Sequence, residues 1–434
     1  MSEALRVRYP STLTIAGGTF HSLVLCAALF LTATISSVYY SLLFLVMLLI
    51  YVYAFGAHVD RDAARVLRPV IGMMLLGIIF SFNNDVYDAL KDVWYAGKAI
   101  VCFLLGYHIA RKITDTKRFF NLFVRLSFLM ALIYLVNIFR GADDIGIETV
   151  SGIGGLSLIS ALAVPLLLFR KTGFVFKGTP VFKALIVSTV TASFALSFSR
   201  TSIGCFLILI FAGAGLFDNI KKSLVYVGLA AILVILIAPM LPNLDGQITF
   251  LGKLKNSFNE IALTTGADAS EMLTNWRGFE AYRAYMAFIN SSIPQQLVGR
   301  GWGATVDLGF GVQMSESLYY RYLPILHNGY MQILTKYGLL GVFLYFVFLW
   351  RVTIGSRKYF IKNNNAIYAR FITGLGLVLV YTSLVITGIL NKGNLDGVLI
   401  LVGLLFGSAG LPFNNPARQQ PILFNYRDLN ANGR

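Results

Sequence analysis

The sequence predicts an all-α polytopic membrane protein with one large loop outside the membrane. Its 434 residues are 57% hydrophobic and only 13% charged, whereas a soluble domain carries about a quarter charged residues. Apolar runs of roughly 17 to 22 residues, long enough to cross a bilayer as helices, occupy most of the chain. We count about twelve such runs, interrupted once by a polar stretch of about ninety residues, which is long for a loop without a role.

The apolar runs divide the chain into four parts. Transmembrane helices 1 to 9 are predicted within residues 1–241, a large loop within 242–336, three more helices within 337–413 and a tail within 414–434. The predicted spans are 13–35, 39–57, 68–83, 94–110, 119–139, 153–169, 184–199, 202–217, 223–241, 337–354, 370–391 and 397–413. The basic start followed by an apolar run has the charge order of a signal peptide. With so many spans after it, we expect that first helix to be retained.

The distribution of basic residues predicts the orientation. One set of short loops contains most of the Lys and Arg, and the opposite set contains few: Lys91, Lys98, Arg140, Arg200 and Lys392. Because cytoplasmic loops carry the basic excess, both termini are expected in the cytoplasm and the large loop on the other side. The net charge of +16 is then mostly a topology signal, with some contact to anionic lipids. Nucleic acid is therefore not expected as a partner.

Cysteines and carboxylates narrow the class further. Cys26, Cys102 and Cys205 all lie in apolar runs, so neither a disulfide framework nor a CxxC metal site is expected. All twenty carboxylates fall outside the predicted spans, with Asp396 nearest to an edge. Ion-coupled transporters usually hold ionisable groups near the middle of the membrane. This pattern disfavours a transporter.

The large loop contains four recognisable segments. Its first part is polar and rich in turn residues, and we expect it to be irregular. Apolar residues at helical spacing then predict an amphipathic helix over 275–292. The glycine-rich turn GRGWG follows at 299–303, and after it a polar hairpin. From 327 a second helical pattern leads into the next apolar run.

His327 is the candidate general base, because imidazole takes a proton near neutral pH without a special environment. It precedes a membrane helix on the wall of the only large polar loop. The other histidines, His21, His58 and His108, lie in or beside spans and are interpreted as structural.

Arginines on the same side of the membrane predict an anionic ligand. Arg200 lies in SFSRTS, among hydroxyl side chains at the start of a helix, where phosphate can bind; the alternative is an arginine that reaches the outer lipid headgroups. Arg277 lies on the amphipathic helix, and Arg283, six residues later, points to a different face. Further basic residues of the loop are Lys253, Lys255, Arg300, Arg321 and Lys336. Jointly they favour a ligand such as a lipid pyrophosphate.

Four segments give the sequence a resemblance to a known family. They are SFSRTS (197–202), NWRGFEAYRAYMAFI (275–289), GRGWG (299–303) and HNGYMQILTKYGLLG (327–341). In this order they resemble the O-antigen ligase and polymerase superfamily of bacterial inner-membrane proteins. The likeness is close over roughly residues 270–345 and loose over the rest, and it implies a GT-C-like helical fold.

The resemblance implies a function and a site. The family transfers a glycan from an undecaprenyl diphosphate carrier to an acceptor in the periplasm, without a metal or other cofactor. Ligases join O-antigen to a lipid A-core sugar of Gram-negative bacteria, and polymerases join it to another repeat unit. Carried over, Arg200 and Arg277 would bind the pyrophosphate and His327 would deprotonate the acceptor hydroxyl. Second-rank contacts are Arg300, Asn328 and Tyr330, and weaker candidates are Lys336 and Asp396.

The chemistry agrees with this resemblance. Lipid pyrophosphate is already a good leaving group, so catalysis needs charge stabilisation, a base and positioning. The short first external loop, around residues 35–40, contains no acidic residue that could hold a metal, and no carboxylate pair suits a double displacement. A metal-independent, inverting ligase is therefore the preferred hypothesis. Its rivals are a repeat-unit polymerase, a lipid-linked glycan transporter and a purely structural membrane protein, which would leave the loop motifs unexplained.

Overall fold

The computed structural model describes residues 12–35, 37–140, 158–169, 174–197, 199–219, 225, 275–315, 318–362, 366–386, 388–390 and 395–409. This part of the chain is mostly helical, as expected for a helical membrane protein. Four of its helices are long and apolar enough to cross a membrane, and the other apolar helices are shorter. The number of twelve spans and the GT-C-like arrangement stay predictions. The span predicted at 223–241 (apart from residue 225), the first part of the large loop and the tail lie outside the described residues.

In the described part of the first half, the structure has eight α-helices. They are α1 (Thr12–Thr34), α2 (Ser37–Phe55), α3 (Arg61–Ile78), α4 (Val86–Ala110), α5 (Thr116–Arg140), α6 (Ala163–Leu168), α7 (Pro180–Leu196) and α8 (Arg200–Ala214). A 3₁₀ turn at Leu158–Leu162 leads into α6, so the span predicted at 153–169 is described only as these short pieces. Polar caps begin several helices: Asp85 accepts a hydrogen bond from the Asp88 amide, and Thr179 from the Phe182 amide.

The second half contains the described part of the large loop and the last helices. In order these are α9 (Trp276–Ile289), α10 (Ile293–Val298), strands β1 (Val306–Ser315) and β2 (Leu318–Leu323), α11 (Gly329–Trp350), α12 (Ser356–Lys362), α13 (Ala366–Val385) and α14 (Asp396–Gly407). The predicted amphipathic helix and the predicted hairpin are confirmed as α9 and the antiparallel pair β1–β2. A π-helical turn, Arg351–Gly355, joins α11 to α12.

Helices α4 and α14 pack backbone to backbone in the core. A Cβ added to Gly106 would lie 2.0 Å from the Ile400 carbonyl oxygen, and one added to Gly403 would lie 2.0 Å from that of Phe103. Only glycine permits this approach, as small residues do at membrane helix contacts generally.

Two buried ion pairs correct the predicted placement of the carboxylates. Helix α4 begins at residue 86 rather than 94, so Asp92 lies inside it and is only 6% exposed. Asp92 is bonded to Lys336, and Asp396 lies 3.0 Å from Lys98 Nζ while it accepts a hydrogen bond of 2.6 Å from Tyr40. Both carboxylates are tolerated because a lysine neutralises each one. The prediction that no carboxylate lies inside a helix of the bundle is therefore wrong, and with it the argument drawn from that absence against an ion-coupled transporter.

Helix α11 is broken at Gly338, which has φ 64° and ψ −163°. The rings of Tyr330 and Phe346 stack with centroids 5.6 Å apart, although sixteen residues of straight helix would separate them by about 24 Å. The chain therefore bends sharply between a short helix, 329–337, and a second helix that starts at residue 339. This second helix corresponds to the predicted span 337–354, and the bend gives the short helix its own direction.

The GRGWG turn (299–303) caps the end of that short helix. Its three glycines have φ of 83°, 83° and 78°, and the Arg300 and Gly301 amides donate to the carbonyls of Thr335 and Lys336 at 2.9 and 3.1 Å. A Cβ on the first glycine would lie 2.2 Å from the Lys336 carbonyl oxygen. These glycines therefore let one backbone approach another, and the end of the short helix uses the turn as its C-cap.

Replacing Gly338 with alanine should destabilise the protein strongly. A positive φ costs a non-glycine residue about 1–3 kcal/mol, and the added Cβ would lie 2.4 Å from the Gly299 amide nitrogen. Thermal unfolding in detergent should show a much lower midpoint for Gly338→Ala. The matched control is Gly97→Ala in α4, where a Cβ meets no atom within 4 Å. Equal midpoints for the two variants would show that the bend does not require glycine.

Candidate functional site

His327 precedes the short helix 329–337 at its N-terminus. Asn328 is the N-cap, and its Oδ1 accepts hydrogen bonds from the amides of Tyr330 at 3.0 Å and Met331 at 3.1 Å. The amide oxygen of Asn328, predicted to touch substrate, is thus engaged in capping. The His327 side chain is 46% exposed. The local sequence therefore holds the backbone of His327 firmly and leaves its ring accessible.

A buried glutamate orients the ring of His327. Glu280 on α9 is only 2% exposed. Its Oε2 accepts from the His327 backbone amide at 3.0 Å and lies 2.9 Å from Nδ1, while Oε1 lies 3.0 Å from the same Nδ1. An ionised carboxylate only accepts hydrogen bonds, so it keeps the proton of a neutral imidazole on Nδ1. The other ring nitrogen, Nε2, is left as the base.

Glu280 was missed by the sequence analysis, although one signal was available. It is the only acidic residue in α9, and it stands between Phe279 and Ala281, which are both buried. A lone carboxylate on the buried side of an amphipathic helix needs a partner. The pattern indicates that Glu280 has a partner. It cannot identify that partner as His327, because His327 lies 47 positions later in the sequence and on another element.

A small apolar core holds α9 against the segment that carries His327. It consists of buried residues from α9, from the hairpin and from the segment after β2: Phe279, Ala284, Val306, Leu308, Leu323 and Leu326. Gln332 accepts a hydrogen bond of 2.9 Å from the Leu326 amide and so fixes the residue before the histidine. The pairing of Glu280 with His327 therefore rests on packing between three elements.

The two arginines predicted to bind pyrophosphate are described to different degrees. Arg277 lies three residues before Glu280, which places it one turn along α9, with a rise of about 4.5 Å. Its side chain is partly buried and has contacts of its own. Arg200 is the first residue of α8, as predicted, and Ser199 caps that helix by accepting from the Ser202 amide. The side chain of Arg200 lies outside the described residues, so its distance from His327 stays untested.

Helix α13 connects the first turns of α8 to the histidine. Gly204 of α8 packs so closely on Tyr381 that an added Cβ would lie 2.6 Å from the phenol oxygen. The neighbouring carbonyl of Val380 accepts a hydrogen bond of 3.3 Å from Tyr330. Tyr330 follows His327 by three residues. The N-terminal end of α8 and the candidate base therefore lie at the same end of the helix bundle.

A cleft of about 270 Å³ lies between α9 and the hairpin. Nine residues line it: Tyr282, Arg283, Met286, Ala287, Asn290, Arg300, Thr305, Asp307 and Tyr322. The second-rank candidate Arg300 is among them, and its Nη1 donates to the Thr305 carbonyl at 3.0 Å. The cleft shares helix α9 with Glu280.

The weaker candidates do not belong to this site. Lys336 and Asp396 are buried in ion pairs with residues of α4, where they join helices. Within the described ranges, no group of three or more His, Cys, Asp or Glu side chains is placed to hold a metal ion. Metal independence itself stays a prediction.

Fold and site together define the class of protein: a helical membrane protein with a Glu–His pair at one end of its bundle. No protein-family model and no curated protein matches the chain. Its function is therefore inferred from the site and from the sequence resemblance.

Proposed function

We propose that this protein is an O-antigen ligase-type transferase, which moves a glycan from undecaprenyl diphosphate to a hydroxyl of a lipid A-core sugar. The observation that carries the proposal is the pair formed by His327 and the buried Glu280. A half-exposed imidazole with its Nδ1 proton held by a carboxylate is the arrangement a general base needs. The site would face the periplasm of a Gram-negative inner membrane, as the basic loops and the family resemblance both indicate.

The proposed reaction is a single displacement at the anomeric carbon of the donor. Nε2 of His327 takes the proton of the acceptor hydroxyl while the oxygen attacks the anomeric carbon of the donor. The bond from that carbon to the pyrophosphate oxygen breaks, and undecaprenyl diphosphate leaves with the electron pair. Glu280 stabilises the imidazolium that forms, as a carboxylate does behind other catalytic histidines. Attack opposite the leaving group inverts the anomeric configuration.

The leaving pyrophosphate needs positive charge close to the base. Arg277 supports this role because it lies one helical turn from Glu280. Arg200 supports it through its place at a helix N-terminus, where anions bind readily. Guanidinium forks match phosphate oxygens in pairs, which an ammonium group cannot do.

Replacing Arg277 with alanine should abolish transfer while the protein stays folded in the membrane. Lysine at this position should restore only part of the rate, since it lacks the bidentate fork. The measurement is donor binding and in-vitro transfer by the purified variants, and Arg200→Ala should behave in the same way. The control is Arg65→Ala, because Arg65 is an exposed arginine on α3 paired with Asp62. Full activity of Arg277→Ala would remove pyrophosphate binding from its role.

Two assays test the function itself. Purified protein given lipid-linked donor and lipid A-core acceptor should transfer glycan equally with and without excess EDTA. A rate lost in EDTA and restored by Mg²⁺ would overturn the metal-independent mechanism. Lipopolysaccharide gels of a deletion strain then distinguish the rival: loss of all capping identifies a ligase, whereas retained single-repeat capping identifies a repeat-unit polymerase.

A further inference from the structure

Two arginines in the cleft between α9 and the hairpin are held by backbone oxygens rather than by carboxylates. Arg283 Nε donates to the Asp307 carbonyl at 2.9 Å, and Arg300 Nη1 donates to the Thr305 carbonyl at 3.0 Å. Among the described residues, neither guanidinium forms an ion pair. Their remaining N–H groups are therefore available to a ligand, and the backbone contacts fix their positions in advance.

The one carboxylate in the cleft is already neutralised. Asp307 is paired with Arg321 at 3.2 Å and accepts a hydrogen bond of 2.8 Å from the Gly309 amide. The bond from Arg321 is the main cause that lowers the pKa of Asp307 below its ordinary value of 3.8. Asp307 thus stays ionised and engaged with Arg321 around neutral pH. The charges of Arg283 and Arg300 remain in excess, so the cleft attracts an anion.

The cleft lies on the side of Glu280 opposite to Arg277. A helix turns by about 100° and rises about 1.5 Å per residue. Arg277, three residues before Glu280, is thus rotated by about 60° in one direction, and Arg283, three residues after it, by about 60° in the other. Glu280, which is bonded to His327, therefore stands between the two arginines on α9, with about 9 Å of axial rise separating Arg277 from Arg283.

The size and lining of the cleft indicate what binds there. Its volume of about 270 Å³ is below the roughly 300–1,000 Å³ typical of ligand pockets, so it fits the end of one substrate rather than a polymer. Tyr282, Tyr322 and Asn290 add ring faces and amide groups, which suit the apolar faces and hydroxyls of a sugar. This lining is too polar for a lipid chain.

We propose that this cleft is the acceptor subsite, where Arg283 and Arg300 bind an anionic group on the acceptor sugar and present a neighbouring hydroxyl to His327. The inference rests on the proposed transferase function and names the side from which the acceptor enters. Phosphate and carboxylate groups both match guanidinium forks, so the subsite recognises a sugar that bears either one.

The test compares acceptors with and without the anionic group. The substrates are core oligosaccharide in its intact, phosphatase-treated and carboxyl-reduced forms. Arg283→Gln and Arg300→Gln should each raise the acceptor KM for the intact form by roughly ten- to a hundredfold, since a charge-assisted hydrogen bond is lost. The donor KM should not change, and lysine variants should recover part of the loss because they keep the charge. Arg140→Gln, which removes an exposed arginine at the end of α5, is the control and should match wild type.

The treated acceptors identify the group that is recognised. If phosphate is bound, phosphatase treatment should raise the wild-type acceptor KM and remove the difference between wild type and the glutamine variants. If carboxylate is bound, carboxyl reduction should do the same. An acceptor KM that neither treatment nor either variant changes would overturn the proposal. Thermal midpoints equal to wild type confirm that the variants are folded.

A binding measurement separates this inference from the proposed function. Calorimetry of the intact oligosaccharide with the purified protein needs no donor and no turnover. Weaker binding to the Arg283→Gln, Arg300→Gln double variant supports the subsite even if the protein transfers nothing, whereas equal binding overturns it. If the wild-type protein transfers glycan to none of the acceptors, the proposed transferase function is contradicted, but the binding subsite is not.

Discussion

His327→Gln should lower the kcat for glycan transfer by about a hundred- to ten-thousandfold while donor affinity stays at the wild-type value. Glutamine has a similar reach and can hydrogen-bond, but it cannot take the proton of the acceptor hydroxyl. The ring it replaces is 46% exposed and held through Nδ1 by Glu280, so the substitution removes the free Nε2 without opening the core. The measurement is in-vitro transfer with purified donor and acceptor, alongside donor binding to the variant.

The matched control for this substitution is His58→Gln. His58 is also exposed and also lies beside a carboxylate, with its Nε2 3.3 Å from Asp60, but it is far along the chain from the large loop. The His58→Gln variant should transfer glycan at the wild-type rate. A near wild-type rate for His327→Gln would mean that the base lies elsewhere, and loss of donor binding would assign His327 to the pyrophosphate site.

Glu280→Gln is expected to have the second large effect, a loss of kcat of about a hundredfold or more with donor binding unchanged. Glutamine keeps the volume of glutamate and can still accept from the His327 backbone amide. Its amide N–H group, however, can donate to Nδ1 and so place the ring proton on Nε2. The nitrogen that faces the acceptor would then carry a proton and could not act as a base. Glu280 is in this sense a positioning residue.

The readout that separates positioning from mere structure is the tautomer of His327. The chain has four histidines, so ¹⁵N-histidine labelling gives a spectrum in which His327 is assigned by comparison with His327→Gln. Wild type should show the neutral ring protonated on Nδ1, and Glu280→Gln should shift the proton to Nε2. The control Asp62→Asn, which removes an exposed carboxylate, should alter neither rate nor spectrum. A slow Glu280→Gln enzyme with an unchanged tautomer would contradict the positioning role.

Local sequence patterns were sufficient to predict the amphipathic helix and the hairpin of the large loop. The apolar residues of 276–289 recur at helical spacing, and the structure has an amphipathic helix there. A polar segment after GRGWG was predicted to form a hairpin and does so. Such elements are predictable because their hydrogen bonds and their exposed and buried faces depend on residues a few positions apart.

Exact helix limits were less predictable where charge interrupts an apolar run. The sequence placed the fourth span at 94–110, but α4 starts at Val86 and includes Asp92. Hydropathy treats a carboxylate as a boundary, whereas the folded helix neutralises Asp92 with Lys336, which lies 244 positions later. The same partner makes Lys336 a structural residue rather than a ligand for substrate.

The sequence by itself determined the helical membrane class, the amphipathic helix and the hairpin of the loop, and the position of His327 on the water side, just before a helix. Only the tertiary structure decided which other residues each of these elements contacts. It joins Glu280 to His327 across 47 residues, sets the GRGWG turn on the end of the helix 329–337, and leaves Arg283 and Arg300 in one cleft. The physical reason is that periodicity records which face of an element is buried, while the partner of a buried charge or an open backbone group depends on how separate elements pack.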